Sequence, residues 1–186
     1  VIGAGAEGGY DGDLHTKIHR YAERCSDVAR DLAFDVIHAH DWMTYPAGMA
    51  IARATGRPLV VHVHATEFDR SGQLVHQPTY DIERGGMNAA TRVIAVSHFT
   101  ARIVTQRYGI PEDKVDVVHN GIDVTNTVVP PRARRPEKTV LFLGRITRQK
   151  GPEFFVRAAA RVAERVSNVR FMVAGWGCLL YTSPSP

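Results

Sequence analysis

The chain has 186 residues, of which 44% are hydrophobic, and a formal net charge of +4 at pH 7. This length suits one globular domain or one and a part, and the diffuse positive charge fits an anionic substrate or a membrane surface but gives no support to nucleic-acid binding. Two cysteines exclude a disulfide framework, so we expect a cytoplasmic protein with at most peripheral contact to the inner face of the membrane. No apolar run approaches the ~18 residues of a transmembrane helix.

The first half of the chain alternates between helical and strand patterns. Glycines spaced as GxGxxG at residues 3–8 have only two residues before them, so we interpret them as a glycine-rich loop. Asp13 is a suitable N-cap for a helix to about residue 33. Beyond it, the hydrophobic pattern predicts strands at 34–42, 58–64, 91–96 and 115–118, helices at 43–54, 81–90 and 98–108, and a polar loop at 65–79.

A proline-containing stretch without periodicity, residues 123–138, separates this part from a second one. The second part contains a strand at 140–143, a helix at 153–165 and a strand at 169–174. Short connections between alternating strands and helices predict a doubly wound parallel α/β sheet. We therefore assign a first domain to residues 1–128, a linker to 129–138 and the start of a second domain to 139–177.

Polar side chains gather where the predicted strands end. They are His38, His40 and Asp41 after the first strand, His64 and Glu67 after the second, Ser97 after the third, and Asn120 and Gly121 after the fourth. Ligand crevices in open α/β sheets lie outside the carboxyl ends of the strands. These residues therefore predict one wall of a binding site.

The second part carries the pattern Gly144-Arg145-x4-Lys150-Gly151 directly after its first strand. Two cations then lie beside a helix N-terminus, which is a site that favours phosphate groups. The alternative is a solvated basic loop, since Arg and Lys are mostly exposed in proteins.

Five segments, DVIHAHDW, PLVVHVHATEFDRSG, RVIAVS, VVHNGID and GRITRQKG, occur in an order and spacing that resemble the retaining glycosyltransferases of family 4. The resemblance covers roughly residues 35–175. It implies the GT-B fold of two Rossmann-like domains, with the second domain truncated here. It also implies retaining transfer of a sugar from a nucleotide-sugar to a glycan, lipid or small-molecule acceptor.

The resemblance implies a role for each matching residue. Gly144, Arg145 and Lys150 would hold the donor diphosphate, and His64 would contact the transferred sugar or the reacting oxygen. The implied acceptor-side residues are His40, Asp41, Glu67, Ser97, Asn120 and Gly121. Because the cations and a helix dipole meet the developing charge, and no DxD pair ends a strand, no metal or cofactor is expected.

Other interpretations remain open for the same residues. The pairs His38-x-His40 and His62-x-His64 place imidazoles on one strand face, as in a metal-dependent hydrolase. A non-catalytic α/β binding domain would keep the fold alone. His64 would otherwise be a hydrogen-bonded strand-end residue, His62 a core residue, and Asp41 a cap for the helix that follows it.

Three features predict that the sequence is a piece of a longer enzyme and inactive as it stands. It begins with Val1, so we expect the first domain to lack its start. The Glu-x7-Glu pair, which in the family holds the sugar and ribose, does not occur where the donor domain would need it. Residues 178–186, CLLYTSPSP, resemble a reading frame of a sequencing adapter, so we expect a non-native tail there.

Overall fold

The computed structural model describes residues 13–123, 125 and 137–177. The predicted glycine-rich loop, most of the predicted linker and the predicted tail lie outside these residues. The chain divides into two compact units: Tyr10–Ile122 forms the first, and Asp123 begins the second.

The first unit is a four-stranded parallel sheet in the order β1-β2-β3-β4, with helices between the strands. The strands are β1 (Ile37–His40), β2 (Leu59–Val63), β3 (Arg92–Ala95) and β4 (Val115–Val117). The helices are α1 (Asp13–Arg30), α2 (Tyr45–Thr55), α3 (Glu67–Ser71), α4 (Gln77–Ala89) and α5 (His98–Tyr108), with 3-10 turns at Trp42–Thr44 and Glu112–Lys114. The prediction of a parallel α/β sheet is confirmed.

The second unit contains β5 (Lys138–Leu143), a 3-10 turn (Arg148–Lys150), α6 (Pro152–Ala163) and β6 (Val169–Ala174), with β5 and β6 parallel. Helix α6 packs on the two strands through Phe155, whose ring centroid lies 5.4 Å from that of Phe142 and 6.1 Å from that of Phe171. No described side chain of α6 is fully buried, and Val156 is 61% exposed. The apolar surface of this helix is therefore only partly covered.

The core of the first unit lies against one face of its sheet. Alternate strand residues such as Val61 and Val93 are fully buried there, as the two-residue period of a strand requires. Helices α2 and α4 pack closely on this face, because Gly86 of α4 presents no side chain to the buried ring of Tyr45.

Replacing Gly86 by alanine should destabilise the first unit by about 1–3 kcal/mol, because a methyl group there would overlap the Tyr45 ring and force the helices apart. Gly85 is the matched control, since nothing lies within 4 Å of a methyl group at that position. Gly85→Ala should stabilise the helix by up to about 1 kcal/mol. Urea denaturation followed by Trp42 fluorescence measures both, and equal effects would contradict this packing.

Several details of the predicted elements are wrong, and the first strand spans Ile37–His40 rather than 34–42. The polar stretch 65–79 contains α3 and the start of α4, because Asp69 accepts hydrogen bonds from the backbone and hydroxyl of Thr66 and so begins a helical turn. Helix α1 ends at Arg30 rather than near residue 33, and the side chain of Val28 in its last turns is 63% exposed. Helix α2 begins at Tyr45 after a separate 3-10 turn.

Candidate functional site

Four histidines share one face of the sheet at the ends of β1 and β2, and we call His38, His40, His62 and His64 the histidine cluster. Residues of β1 alternate between buried and exposed, which turns His38 and His40 away from the core. The parallel register places His40 directly beside His62. The two HxH pairs therefore meet across neighbouring strands.

The rings of the cluster are in contact. Nδ1 of His40 and Nε2 of His64 are 3.0 Å apart and share a hydrogen bond. The ring centroids of His62 and His64 lie 4.3 Å apart and those of His38 and His40 lie 4.2 Å apart. Since each strand end is fixed by the sheet, these imidazoles are held close without mobile loops.

His62 lies deepest in the cluster. Both of its ring nitrogens are buried, and neither has a hydrogen-bond partner within the part of the chain that the structure describes. Burial lowers the pKa of His62 to about 4, and repulsion from His64, His40 and His38 acts in the same direction. Burial also lowers the pKa of His38, assisted by His40 and His64. His62 is thus a neutral imidazole near pH 7.

Acidification should destabilise the first unit through His62. Between pH 6.5 and about 4 the unfolded chain binds a proton that the folded chain does not, so the free energy of unfolding falls with pH in that window. Groups that face His62 are the other three cluster histidines and Asp41. Urea midpoints at pH 7 and 4.5, in buffer with a chelator, should differ less in His62→Asn than in the wild type.

His19, which is exposed on α1, provides the control for that experiment. His19→Asn should keep the wild-type difference between the two pH values. The assignment of the pH dependence to His62 is wrong if His62→Asn keeps the full difference.

The backbone of His64 is held by Asp41. The His64 N–H donates to Oδ1 of Asp41 at 2.9 Å, and the Tyr45 hydroxyl donates to the His62 carbonyl at 3.2 Å. Asp41 makes no side-chain cap to the turn that follows it, so the alternative interpretation of Asp41 as a helix cap is wrong. Its backbone has φ 60° and ψ 163°, a conformation that is costly for any residue except glycine. Such strain is typical of functional sites, where neighbouring contacts enforce it.

The segment after His64 is fixed as well. Oδ2 of Asp69 accepts from the Thr66 N–H at 2.7 Å and from the Thr66 hydroxyl at 2.8 Å. The Arg70 guanidinium donates to the Ala65 carbonyl at 3.3 Å. The chain therefore leaves β2 in a defined direction, and this direction determines where the His64 ring lies.

Glu67 is the first member of a set of buried polar side chains that we call the buried ionic network: Glu67, Arg70, Glu83 and Tyr108. The Arg70 guanidinium pairs with both carboxylates, at 3.1 Å from Glu67 and in short contact with Glu83. The Glu67 N–H donates to Glu83 at 3.0 Å, and the Tyr108 hydroxyl also donates to Glu83. Burial and the Glu83 charge raise the pKa of Tyr108, so its hydroxyl stays protonated.

This network places the predicted acceptor residue Glu67 inside the fold. Its side chain is 5% exposed, and its oxygens accept from Arg70, Ser71 and the His76 N–H. We therefore interpret Glu67 as a residue that shapes the segment after His64. The sequence does contain a signal for the Glu67–Arg70 pair, because a glutamate and an arginine three residues apart in a helix often form an ion pair. Glu83 and Tyr108 were missed, since they lie far from Glu67 along the chain.

The remaining strand-end residues lie at the ends of β3 and β4. Ser97 caps α5, because its Oγ accepts from the Thr100 N–H at 3.0 Å. His119 joins the two strand ends through its Nδ1, which is 3.1 Å from the Val96 carbonyl. Asn120 and Gly121 follow it and are exposed, and Asn120 does not use the left-handed backbone conformation.

The basic motif of the second unit surrounds the start of α6. The loop after β5 is anchored where the Ile146 N–H donates to the Trp176 carbonyl at 2.9 Å. Gly151 has φ 63° and serves as the N-cap of α6, a conformation that glycine adopts readily. Arg145 and Lys150 are exposed, and neither forms an ion pair within residues 13–123 and 137–177. Both cations are therefore available to an anion.

None of the helices in the described part of the chain combines the length and apolar character that a membrane crossing requires.

Comparison with known proteins gives one family. The profile described as "Glycosyltransferase Family 4" matches residues 10–126. An uncharacterized glycosyltransferase of Methanocaldococcus jannaschii is 33% identical over 159 residues, which cover 77% of this chain and 40% of the relative. An alpha-maltose-1-phosphate synthase of Mycolicibacterium smegmatis is 36% identical over 156 residues, covering 74% of this chain and 40% of the relative.

Solved structures show the same fold. The Anabaena protein HepE, crystallised in complex with UDP and glucose, matches with a TM-score of 0.63 and 20% identity, covering 94% of this chain and 46% of that protein. The chain spans only 40% of the length of each of the two relatives described above.

Proposed function

This chain belongs to glycosyltransferase family 4, and we propose that the intact protein is a retaining glycosyltransferase that moves a sugar from a nucleotide-sugar to a carbohydrate, lipid or small-molecule acceptor. The observation that carries this proposal is the family match over residues 10–126, which includes the histidine cluster and Asp41. HepE was crystallised with UDP and glucose, and this supports a nucleotide-sugar as donor.

Arg145 and Lys150 are the proposed binding groups for the donor diphosphate. The charge on the diphosphate grows as the bond to the sugar breaks, so cations fixed beside it stabilise the transition state more than the ground state. The N-terminus of α6 adds the positive end of a helix dipole next to Gly151. These groups take the part that a metal ion plays in other transferases, and we propose that transfer itself needs none.

His64 is the proposed contact to the transferred sugar or to the reacting oxygen. Its ring ends β2, shares a hydrogen bond with His40 and is half-exposed, so it is held in place while remaining within reach of a ligand. A neutral imidazole orients a hydroxyl group without the cost of desolvating a charge. Asp41 acts through the backbone of His64 and is a positioning residue.

A metal-dependent hydrolase and a non-catalytic binding domain were the other functions that the sequence allowed. The family match favours the transferase over both. Calorimetry on the intact protein distinguishes the transferase from the non-catalytic binding domain, because a domain that keeps only the fold would give no heat of binding with any nucleotide-sugar.

The His64→Ala variant of the intact protein tests the proposal. We expect turnover of a nucleotide-sugar to fall by about tenfold to a hundredfold, the effect of one lost hydrogen bond in the transition state. The melting temperature should change little, since His64 ends its strand. His19→Ala changes an exposed residue of α1 and should leave turnover unchanged. Loss of the melting transition in His64→Ala, or unchanged turnover, would return His64 to a structural role.

A further inference from the structure

The histidine cluster has the geometry of a metal site, although the proposed transfer reaction does not use one. One ligand nitrogen each from His38, His40 and His62 lies within 4.8 Å of the other two. Two of these residues are two positions apart on β1, and the third lies beside His40 on β2. Three imidazoles thus point to one side of a rigid sheet.

The state of His62 indicates a missing partner. Buried polar atoms in folded proteins nearly always have a hydrogen-bond partner. Both nitrogens of His62 are buried without one in the described part of the chain, and the rings of His38 and His64 stack on either side of it. A cation bound to one nitrogen satisfies that atom with a bond that no neighbouring residue provides.

We propose that His38, His40 and His62 bind one divalent transition-metal ion of the zinc, nickel or copper type. Imidazole nitrogens suit these ions, and a zinc ion about 2.1 Å from each nitrogen would hold the nitrogens roughly 3.4 Å apart. The side chains of His38 and His40 are exposed, so rotation about their side-chain bonds closes the present spacing. With three protein ligands, the metal ion would keep one open coordination position on the solvent side.

Metal binding at this site also affects His64. The 3.0 Å hydrogen bond to His64 uses Nδ1 of His40, so a metal ion on this nitrogen removes the bond, and a metal ion on Nε2 fixes Nδ1–H as its donor. This consequence rests on the proposed function, in which His64 contacts the substrate. It predicts that zinc inhibits the intact enzyme, whereas binding by the 186-residue chain does not depend on the activity.

Calorimetric titration of the untagged 186-residue chain with zinc sulfate or nickel chloride at pH 7.5 tests the proposal. We expect one equivalent to bind, with affinity weakened at least about tenfold in His38→Ala and in His62→Asn, since each loses one of three ligands. His19→Ala is the control and should bind as the wild type does. Circular dichroism verifies that each variant is folded, and His38, being exposed, decides the result if His62→Asn misfolds.

Absence of binding at millimolar metal by the folded wild type would overturn the proposal. Equal affinities of the wild type and His38→Ala would overturn it as well, because they would place the metal on other groups. Inhibition of the intact enzyme by zinc that persists in His38→Ala would contradict the proposed effect on His64 but leave a binding site measured by calorimetry in place.

Discussion

Replacing Arg145 or Lys150 by alanine in the intact protein is expected to lower kcat by about two to three orders of magnitude, equivalent to roughly 2–4 kcal/mol of lost transition-state stabilisation. Arg145 precedes the 3-10 turn that leads into α6 and Lys150 is the last residue of that turn, and neither has an ion-pair partner among the residues that the structure describes. Their charges are therefore free to meet the leaving diphosphate. Steady-state kinetics with a saturating nucleotide-sugar measure the effect.

Arg161 provides the matched control for those variants. It is an exposed cation in the last turn of α6, at the end opposite to Gly151. Arg161→Ala should leave kcat within about twofold, the ordinary range for a surface substitution. If the Arg145→Ala and Lys150→Ala variants are as active as Arg161→Ala, the motif is a solvated basic loop.

The Arg70→Ala variant of the 186-residue chain should destabilise the first unit by about 3–5 kcal/mol, the usual cost of removing one partner from a buried ion pair. Without the guanidinium, the carboxylates of Glu67 and Glu83 face each other, and both side chains are almost fully buried. Urea denaturation reports this best through Trp42, which is 2% exposed in the first unit, in a Trp176→Phe background.

Two further variants separate this network from ordinary packing. Arg53→Ala is the control, since Arg53 is exposed and bonds only to the Met49 carbonyl among the described contacts; it should cost less than about 0.5 kcal/mol. Glu83→Gln added to Arg70→Ala should recover part of the loss, because it removes one of the two facing charges. A loss in Arg70→Ala as small as that in Arg53→Ala would contradict the importance of the network.

The sequence pattern predicted the helices and strands whose ends are set by residues adjacent in the chain. The helix at 98–108 and the strand at 169–174 have the predicted bounds, because Ser97 and Gly109 mark the ends of the helix and an apolar run marks the strand. The strand-end positions of His40, Asp41 and His64 were likewise predicted from alternation. They follow from the two-residue period of a strand and the parallel sheet.

Contacts between distant segments could not be predicted. Glu67 was expected among the acceptor-side residues of the cleft, yet it is buried, because Arg70 pairs both with it and with Glu83, which lies sixteen residues beyond Glu67. Asp41 was expected on the acceptor side of the cleft or, as the alternative, as a helix cap, and its carboxylate bonds to the His64 backbone 23 residues away. Such partners are set by sheet register and helix packing rather than by local spacing.

The histidine cluster could be predicted from the sequence only in part. The HxH pairs predict that each strand points its histidines to one face, but only the register of β1 against β2 places His40 beside His62. A shift of the register by one residue would turn one pair to the opposite face. The structure therefore adds the pairing on which the metal proposal depends.

The anomeric configuration of the product tests the central claim most directly. The intact protein is incubated with a panel of α-configured nucleotide-sugars and acceptors, and proton NMR measures the anomeric configuration of the new glycosidic bond. If the intact protein is a retaining glycosyltransferase, we expect release of the nucleoside diphosphate together with an α-linked product. A β-linked product, or release of free sugar without transfer to any acceptor, would contradict the account.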